Sequence, residues 1–394
     1  MDPWGKPKAR RRSPGRYNGG FRCSYERMRK ALIAFTLLVT MTLGAAERRA
    51  RNVILFIGDA AGVATIHAAS IYQHGRPHAL YLHKMPHIAL METSTASQWV
   101  TDSAAGMTAI VTGRKTHNGV ISQGEDAERG KRDGTPLKTI LEYAEERGLA
   151  TGVITNSPVA DATPAACYAH ANDRRKWGEI FSQIWKPRFG DGIDLVIGPG
   201  RERVMKEMRA VGHDPETALK GRLFFSLDAV PAEAARPVVL LDDPEFDLVA
   251  ATERAIRILS RDPDGFFLMV ESDCHTNRIV RGLKRVILMD NAIRRAAELT
   301  KPTETLILVT ADHSYDFRIF RGRRNEPLLP EEGSLDDKDD SVRLANVRRD
   351  DDHTAEEVIV AAQGPGAERV RGFLANTDLF RIMLAAYGWT EENR

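Results

Sequence analysis

The stretch MVESDCHTN, residues 269–277, runs an apolar segment straight into four side chains able to hold a metal: Glu271, Asp273, Cys274 and His275. Two other apolar runs end in a similar way. NVILFIGD (52–59) ends in Asp59, and TLILVTADH (305–313) ends in Asp312 and His313. Runs of this kind read as buried strands. In a parallel α/β sheet the strand C-termini share one edge, and ligands bind just outside it. Four carboxylates and two histidines would converge there. Carboxylates packed ~4–6 Å apart push one another's pKa values up, and a divalent cation is the simplest compensation. A mixed carboxylate and imidazole set suits Zn²⁺, and an all-oxygen set suits Mg²⁺. A single Asp at a strand end would be only a turn or helix cap. Three such ends together argue for a metal centre.

A nucleophile candidate stands in TDSAAGMTAIVTG, residues 101–113. Ser103 opens a run of small, helix-compatible residues, 104–112. Most serines in that position are simply N-caps. A helix N-terminus also favours anions, because its unpaired N–H groups point outward. Facing a metal, the hydroxyl could lose its proton and attack phosphorus, the metal standing in for the general base of a Ser–His pair. Spacing alone leaves both readings open.

The elements that must position these groups alternate along the chain. The spacing predicts strands at 52–59, 150–156, 192–200, 236–243, 265–272, 305–313 and 356–366. It predicts helices at 135–148, 246–262, 283–300 and 377–388, the last capped by Thr377. Strand–helix alternation with continuously apolar strands implies an α/β, three-layer α/β/α sandwich around a mostly parallel central sheet. Residues 321–352 are charged and without period, and read as a surface insertion or lid, or as a loop with no role. There is no internal repeat.

The chain has 394 residues, enough for one large α/β domain or two smaller ones. Its 56 basic and 54 acidic residues nearly cancel, which gives no footprint for nucleic acid. Residues 1–27 are basic and rich in Pro, Gly and Arg. Met28-Arg29-Lys30 then precedes ALIAFTLLVTMTLGAA (31–46), shorter than the ~20 residues of a membrane span. The order of basic start, apolar middle and small end is that of a secretory signal. Met28 is then a candidate true start, with cleavage after Ala46, so 47–394 is the mature, catalytic part, exported to a periplasm or beyond the cell. An uncleaved anchor is the rival reading. Export would permit a disulfide between Cys167 and Cys274, but two cysteines make no framework, and a free buried thiol is the plainer reading of Cys167.

ILFIGDAAG, TDSAAGMTAIVTG, DATPAACYAHANDR, VES, VTADHS and DHTAEEVIVAAQGPG…NTDLF, in this order, resemble the alkaline phosphatase family over most of residues 52–388. TDSAA…TA and TADHS are specific in combination. The resemblance implies phosphate monoester hydrolysis with two Zn²⁺ and one Mg²⁺, acting on a small-molecule ester. It makes Ser103 the nucleophile that becomes phosphorylated. Asp59 bridges one Zn²⁺ and the Mg²⁺, and Asp312 and His313 bind that same Zn²⁺. His353 binds the other Zn²⁺. Thr163 and Glu271 bind Mg²⁺, with Asp161 just behind them. Arg174 grips phosphate, and Asp102 orients Arg174. For Arg174 alone, a surface helix arginine is the bland reading, since Arg175 and Lys176 are also basic. One piece departs from the family. The Asp five residues after the glutamate and the His four beyond it fall here on Thr276 and Val280, which cannot serve. If the remaining Zn²⁺ takes an Asp and a His from this loop, they are Asp273 and His275, with Cys274 turned away or replacing one of them as a soft ligand. The resemblance allows a homodimer, although the family's crown-like insertion is reduced here to residues 321–352. Phosphodiesterase, phosphonate hydrolase and sulfatase relatives are the rival enzyme readings. A phosphate-binding protein with one metal site lost is the non-catalytic one.

Overall fold

The structure is a computed structural model and describes residues 49–329 and 341–391. Its strands, in chain order, are β1 (Asn52–Asp59), β2 (His87–Glu92), β3 (Ala150–Thr155), β4 (Leu195–Pro199), β5 (Leu223–Phe224), β6 (Val238–Leu241), β7 (Phe266–Asp273), β8 (Thr305–Thr310), β9 (Ser314–Ile319), β10 (Ser341–Arg343), β11 (Val347–Thr354), β12 (Val358–Gln363) and β13 (Gly372–Ala375). Its α-helices are α1 (Val63–His74), α2 (Ser103–Thr112), α3 (Ile140–Glu145), α4 (Ala162–Tyr168), α5 (Trp177–Ser182), α6 (Arg201–Ala210), α7 (Pro215–Ala218), α8 (Leu248–Leu259), α9 (Ile279–Leu299) and α10 (Asp378–Tyr387).

A ten-stranded sheet runs in the order β13-β2-β12-β8-β1-β7-β3-β4-β6-β5. Its pairings are parallel except those of β12, which lies antiparallel to both β2 and β8. Strand β1 sits between β7 and β8, and Val53 through Ile57 are 0% exposed. Both of its faces are covered, which is why it reads as a continuous apolar run rather than an alternation. Helix α9 packs against α1, α8, β7 and β1, while α10 packs against α2, α3 and β1. The result is the expected three-layer α/β arrangement.

The local signals hold with shifted ends. Helix α8 starts at Leu248, after Asp247, whose carboxylate caps the N–H groups of Val249 and Ala250. Helix α3 begins only at Ile140, where Thr139 and Glu142 form a reciprocal capping box. The expected start at residue 135 fails because Pro136 lies in an extended bridge to Gln123. Thr377 does occupy the N-cap position of α10, but its side chain makes no cap bond. Asp378 instead accepts the Ala375 N–H at 3.0 Å.

The segment 321–352 needs a larger correction. Its last part is not irregular: β10 and β11 pair with β9 in a second, antiparallel sheet. On β11 the inward side chains of Val347 and Arg349 are 0% and 1% exposed, while Arg348 between them faces water. The alternation is present, but an arginine fills an inward place and hides it from a hydropathy reading. Residues 330–340 and the expected signal segment, 1–46, lie outside the described residues. Among the described residues no helix is long and apolar enough to cross a membrane. Cys167 and Cys274 are both buried and free, so no disulfide joins them.

Candidate metal centre

The register of the central strands brings the acidic ends together. Asp59 at the end of β1 stands opposite Asp273 at the end of β7, and Ile57 stands opposite both Glu271 and Thr310. Beyond β8 the chain turns through Asp312 and His313. Ala60, just after Asp59, adopts φ 67°, an uncommon value for a residue with a Cβ. That turn aims its N–H at Asp312 Oδ1, 3.3 Å away.

Three histidines close the cluster. His313 Nδ1 lies 3.1 Å from the Ser314 carbonyl, and His353 Nδ1 lies 2.9 Å from the Thr101 carbonyl. A carbonyl only accepts, so each Nδ1 donates to it, and in the neutral ring Nε2 is left with a lone pair. The two rings stack at 3.8 Å between centroids, and the His275 ring stands 5.6 Å and 5.7 Å from them. His353 arrives on β11, within the small second sheet. Ligand atoms of His275, His313 and His353 lie within 4.8 Å of one another. So do those of Asp59, Asp273 and His275, and those of Asp59, Asp312 and His313. Cys274 is turned away: its thiol donates to the Ser272 carbonyl at 3.2 Å.

Ser103 is the first residue of α2, and its hydroxyl lies 3.2 Å from His313 Nε2. The capping role falls to Asp102, whose carboxylate accepts the Ala105 N–H. Ser103 is therefore not the N-cap, and its side chain is released toward the cluster. Helix α2 approaches closely because residue 106 is glycine; a Cβ there would stand 2.5 Å from the Asp312 carbonyl oxygen. Arg174 donates to Asp102 Oδ2 at 3.2 Å and to Asp161 Oδ1 at 2.9 Å. Asp161 also caps α4, and Thr163 on that helix donates to Asp312 Oδ2 at 3.4 Å. Glu271 accepts a short hydrogen bond from Thr155 through Oε2.

The charges in this cluster conflict. Burial alone would raise Asp59, but the imidazoles of His275 and His313 hold it well below the usual carboxylate range. Asp312 is pushed up to about 6 by burial and by Asp59. Glu271 is raised by the same two causes. Burial disfavours the His313 cation, yet Asp312 and Asp59 push it up to about 9, while burial and the His313 charge take His353 down to about 4. Arg174 is held firmly cationic by Asp161 and Asp102 against its burial. Asp59 Oδ1 and Glu271 Oε1 are buried with no hydrogen-bond partner. His313 Nε2 is only 3.1 Å from Asp59 Oδ1, but the pair is misaligned for a bond. Buried, unpaired carboxylate oxygens are costly, and a divalent cation would satisfy them and remove the conflict. The donor set, mixed carboxylate and imidazole with a carboxylate and threonine side, fits that group.

A profile of the family described as Alkaline phosphatase matches residues 50–222 and 237–342. The chain belongs to the alkaline phosphatase family. It is 31% identical over 451 residues to the streptomycin-6-phosphate phosphatase of Streptomyces griseus, an alignment that covers 91% of this chain and 97% of that one. It is 29% identical over 419 residues to the alkaline phosphatase of Escherichia coli strain K12, covering 87% of each. Among solved structures, the alkaline phosphatase of the Antarctic bacterium TAB5 matches with a TM-score of 0.70 at 27% identity, covering 87% of this chain and 99% of that one. A mutant of the TAB5 enzyme with Mg bound in its M3 site matches with a TM-score of 0.71 at 28% identity, over 87% and 99% of the two chains. This alkaline phosphatase is accordingly a metal-dependent enzyme that hydrolyses phosphate monoesters.

Sequence reasoning missed two residues around the alkaline phosphatase centre. Thr155, at the end of β3, holds Glu271, and its position in register with Glu271 becomes visible only once the strands pair. Arg285 lies inside α9, where its sequence neighbours give no hint that it faces Asp273, with Nη1 2.6 Å from Oδ2.

Proposed function

We propose that hydrolysis proceeds through a phosphoserine on Ser103, at a centre of two Zn²⁺ and one Mg²⁺. Asp59, Asp312 and His313 would hold one zinc, and Asp273, His275 and His353 the other. Asp59, Glu271 and Thr163 would hold magnesium, with Asp161 behind Thr163. When bound, the ions lower the pKa of an alcohol or water and neutralise charge on the transferring phosphoryl group.

The protein's own residues do the rest. Helix α2 presents the Ser103 oxygen to phosphorus, and the capping bond of Asp102 keeps that helix end in place. Arg174 binds two non-bridging phosphate oxygens, a task that suits a planar guanidinium; Asp102 and Asp161 preset its plane. Attack by Ser103 breaks the bond from phosphorus to the ester oxygen and releases the alcohol. Water then breaks the Ser103–phosphorus bond and returns the hydroxyl. Neither step asks for more than positioning and charge neutralisation.

The observation that carries this reading is the Ser103 hydroxyl, 3.2 Å from His313 Nε2, which itself stands 3.1 Å from the unpartnered Asp59 Oδ1. Ser103 together with Arg174 favours monoesters over diesters, phosphonates and sulfates. Asp273 Oδ1 and His275 Nδ1, 2.8 Å apart, keep a ligand pair where a lost metal site would lack one. The signal-like segment supports export to the periplasm or beyond the cell. Two measurements test the proposal: metal analysis, with about two zinc ions per chain expected, and mass spectrometry of acid-quenched turnover, with phosphate expected on Ser103. One zinc per chain, or a phosphoenzyme that persists in Ser103→Ala, contradicts it.

A further inference from the structure

The turn that carries Asp273 and His275 is gripped by helix α9, and the grip reaches a ligand atom. Arg285 is only 2% exposed. Its Nη1 donates to Asp273 Oδ2 at 2.6 Å and to the Asp273 carbonyl at 3.2 Å. Its Nη2 donates to Glu245 Oε1 at 2.8 Å. Nearly one turn earlier on the same helix, Gly282 lets the backbones touch; a Cβ there would stand 2.6 Å from the His275 carbonyl oxygen and 2.9 Å from that of Cys274. From the other side, Asn156 accepts the Asp273 N–H at 2.7 Å and donates to the Ser272 hydroxyl at 3.1 Å. The Cys274 N–H donates to the Asp59 carbonyl at 2.8 Å.

These contacts divide the two oxygens of Asp273. Oδ1 faces the cluster, 2.8 Å from His275 Nδ1. Oδ2 faces away, into a buried guanidinium. A free carboxylate ligates a cation through one oxygen or both, and a charge-assisted hydrogen bond at this distance occupies the second oxygen. Resting on the zinc assignment above, we propose that Arg285 is a positioning residue. It reserves Asp273 Oδ2, so that Asp273 meets zinc through Oδ1 alone, and it holds Asp273 in line with His275. Two ligands separated by a single residue have little backbone with which to adjust, so alignment has to come from outside the turn. Partners of metal ligands act in this way in general, by fixing orientation and tuning basicity.

The test compares the holoenzyme with Arg285→Met, Arg285→Gln and Arg285→Lys. Zinc affinity is read by competition with a chromophoric chelator, and coordination by the visible spectrum after Co²⁺ exchange. Arg285→Met should raise the zinc dissociation constant of one site by about 10–100-fold. It should also weaken the cobalt d–d bands, as the released Oδ2 joins the ion and the coordination number rises. Arg285→Lys, which keeps a cationic donor, should recover part of both. A purely structural arginine would lower the melting temperature and leave the cobalt spectrum alone, and that result overturns the proposal. If Arg285→Met does not fold, Arg285→Gln is read in its place: a smaller change in the same direction supports the proposal, and parent values overturn it. A parent enzyme with a single zinc that Asp273→Asn does not disturb would refute the two-zinc assignment itself, and the role of Arg285 with it.

Discussion

Asp312 and His313 are 0% exposed, whereas the side chains of Asp273 and His275 keep 25% and 21% exposure. The first pair follows β8 in the middle of the sheet and lies under α2, with Gly106 pressed on the Asp312 carbonyl. The second pair sits where β7 ends and the chain leaves the sheet, held by α9 on one side and by Asn156 on the other. His353, also part-exposed, joins it from the small sheet. One half of the centre is thus set by core packing. The other joins the end of β7 to the small sheet, stays partly exposed and is held by specific contacts. The difference matches the proposed reaction: the nucleophile is buried with the rigid half, and the alcohol and water exchange past the open half.

The sharpest way to break this contrast is to remove one histidine from each half. His313→Ala should lower kcat/KM by more than about 10³-fold, because it strips a ligand next to the nucleophile in a site that cannot rearrange. His275→Ala should cost about 10–100-fold at saturating zinc, since a water can replace the ring in the open half. Equal losses in steady-state assays would end the distinction. Arg174→Ala should weaken competitive inhibition by inorganic phosphate by about 1.5–3 kcal/mol, the worth of hydrogen bonds to a charged group. Unchanged inhibition would remove Arg174 from the site.

Two glycines allow a milder comparison. In Gly106→Ala the new methyl meets backbone of the rigid half, and in Gly282→Ala it meets backbone of the open turn, at 2.5 Å and 2.6 Å. Overpacking costs about 1–3 kcal/mol where nothing can yield. Thermal melts should show that loss for Gly106→Ala and a smaller one for Gly282→Ala, and the reverse order would contradict the picture.

A last contrast concerns a buried acid with no place in the metal cluster. Glu145 is pushed up to about 8 by burial, opposed by hydrogen bonds from Gly192 and Thr151 and reinforced by the charges of Glu142 and Asp191. Its conflict is resolved by a proton rather than by an ion. The folded state holds that proton up to about pH 8, while the unfolded chain releases it near the ordinary value of 4.5. This contribution to stability is full below about pH 4.5 and is lost as pH rises to about 8, with a slope of up to about 1.4 kcal/mol per pH unit. Denaturation of Glu145→Gln against pH should lack that slope.

The legible parts of this protein were those where chemistry and local pattern coincide. Asp59, Glu271 and Asp312 stand at the ends of apolar runs, and a run with both faces buried announces itself in composition. His353 was reached only through the family's motif, because β11 carries Arg349 where an apolar residue would mark the strand. Strand β2 and the antiparallel course of β12 left no local trace, since direction in a sheet is a property of partners. Arg285 and Thr155 were invisible for a related reason: each acts on a residue more than ten positions away.

The amino-acid sequence by itself determined the inventory: three acid-ended strands, a serine opening a small-residue helix, and an α/β alternation to carry them. Those features are local, and burial and capping act over a few residues. Tertiary structure alone decided which oxygen of Asp273 faces the cluster, which nitrogen of His313 and His353 meets a backbone carbonyl, and which half of the centre is open. Such choices depend on distances between segments far apart in the chain, and only packing and strand register set those.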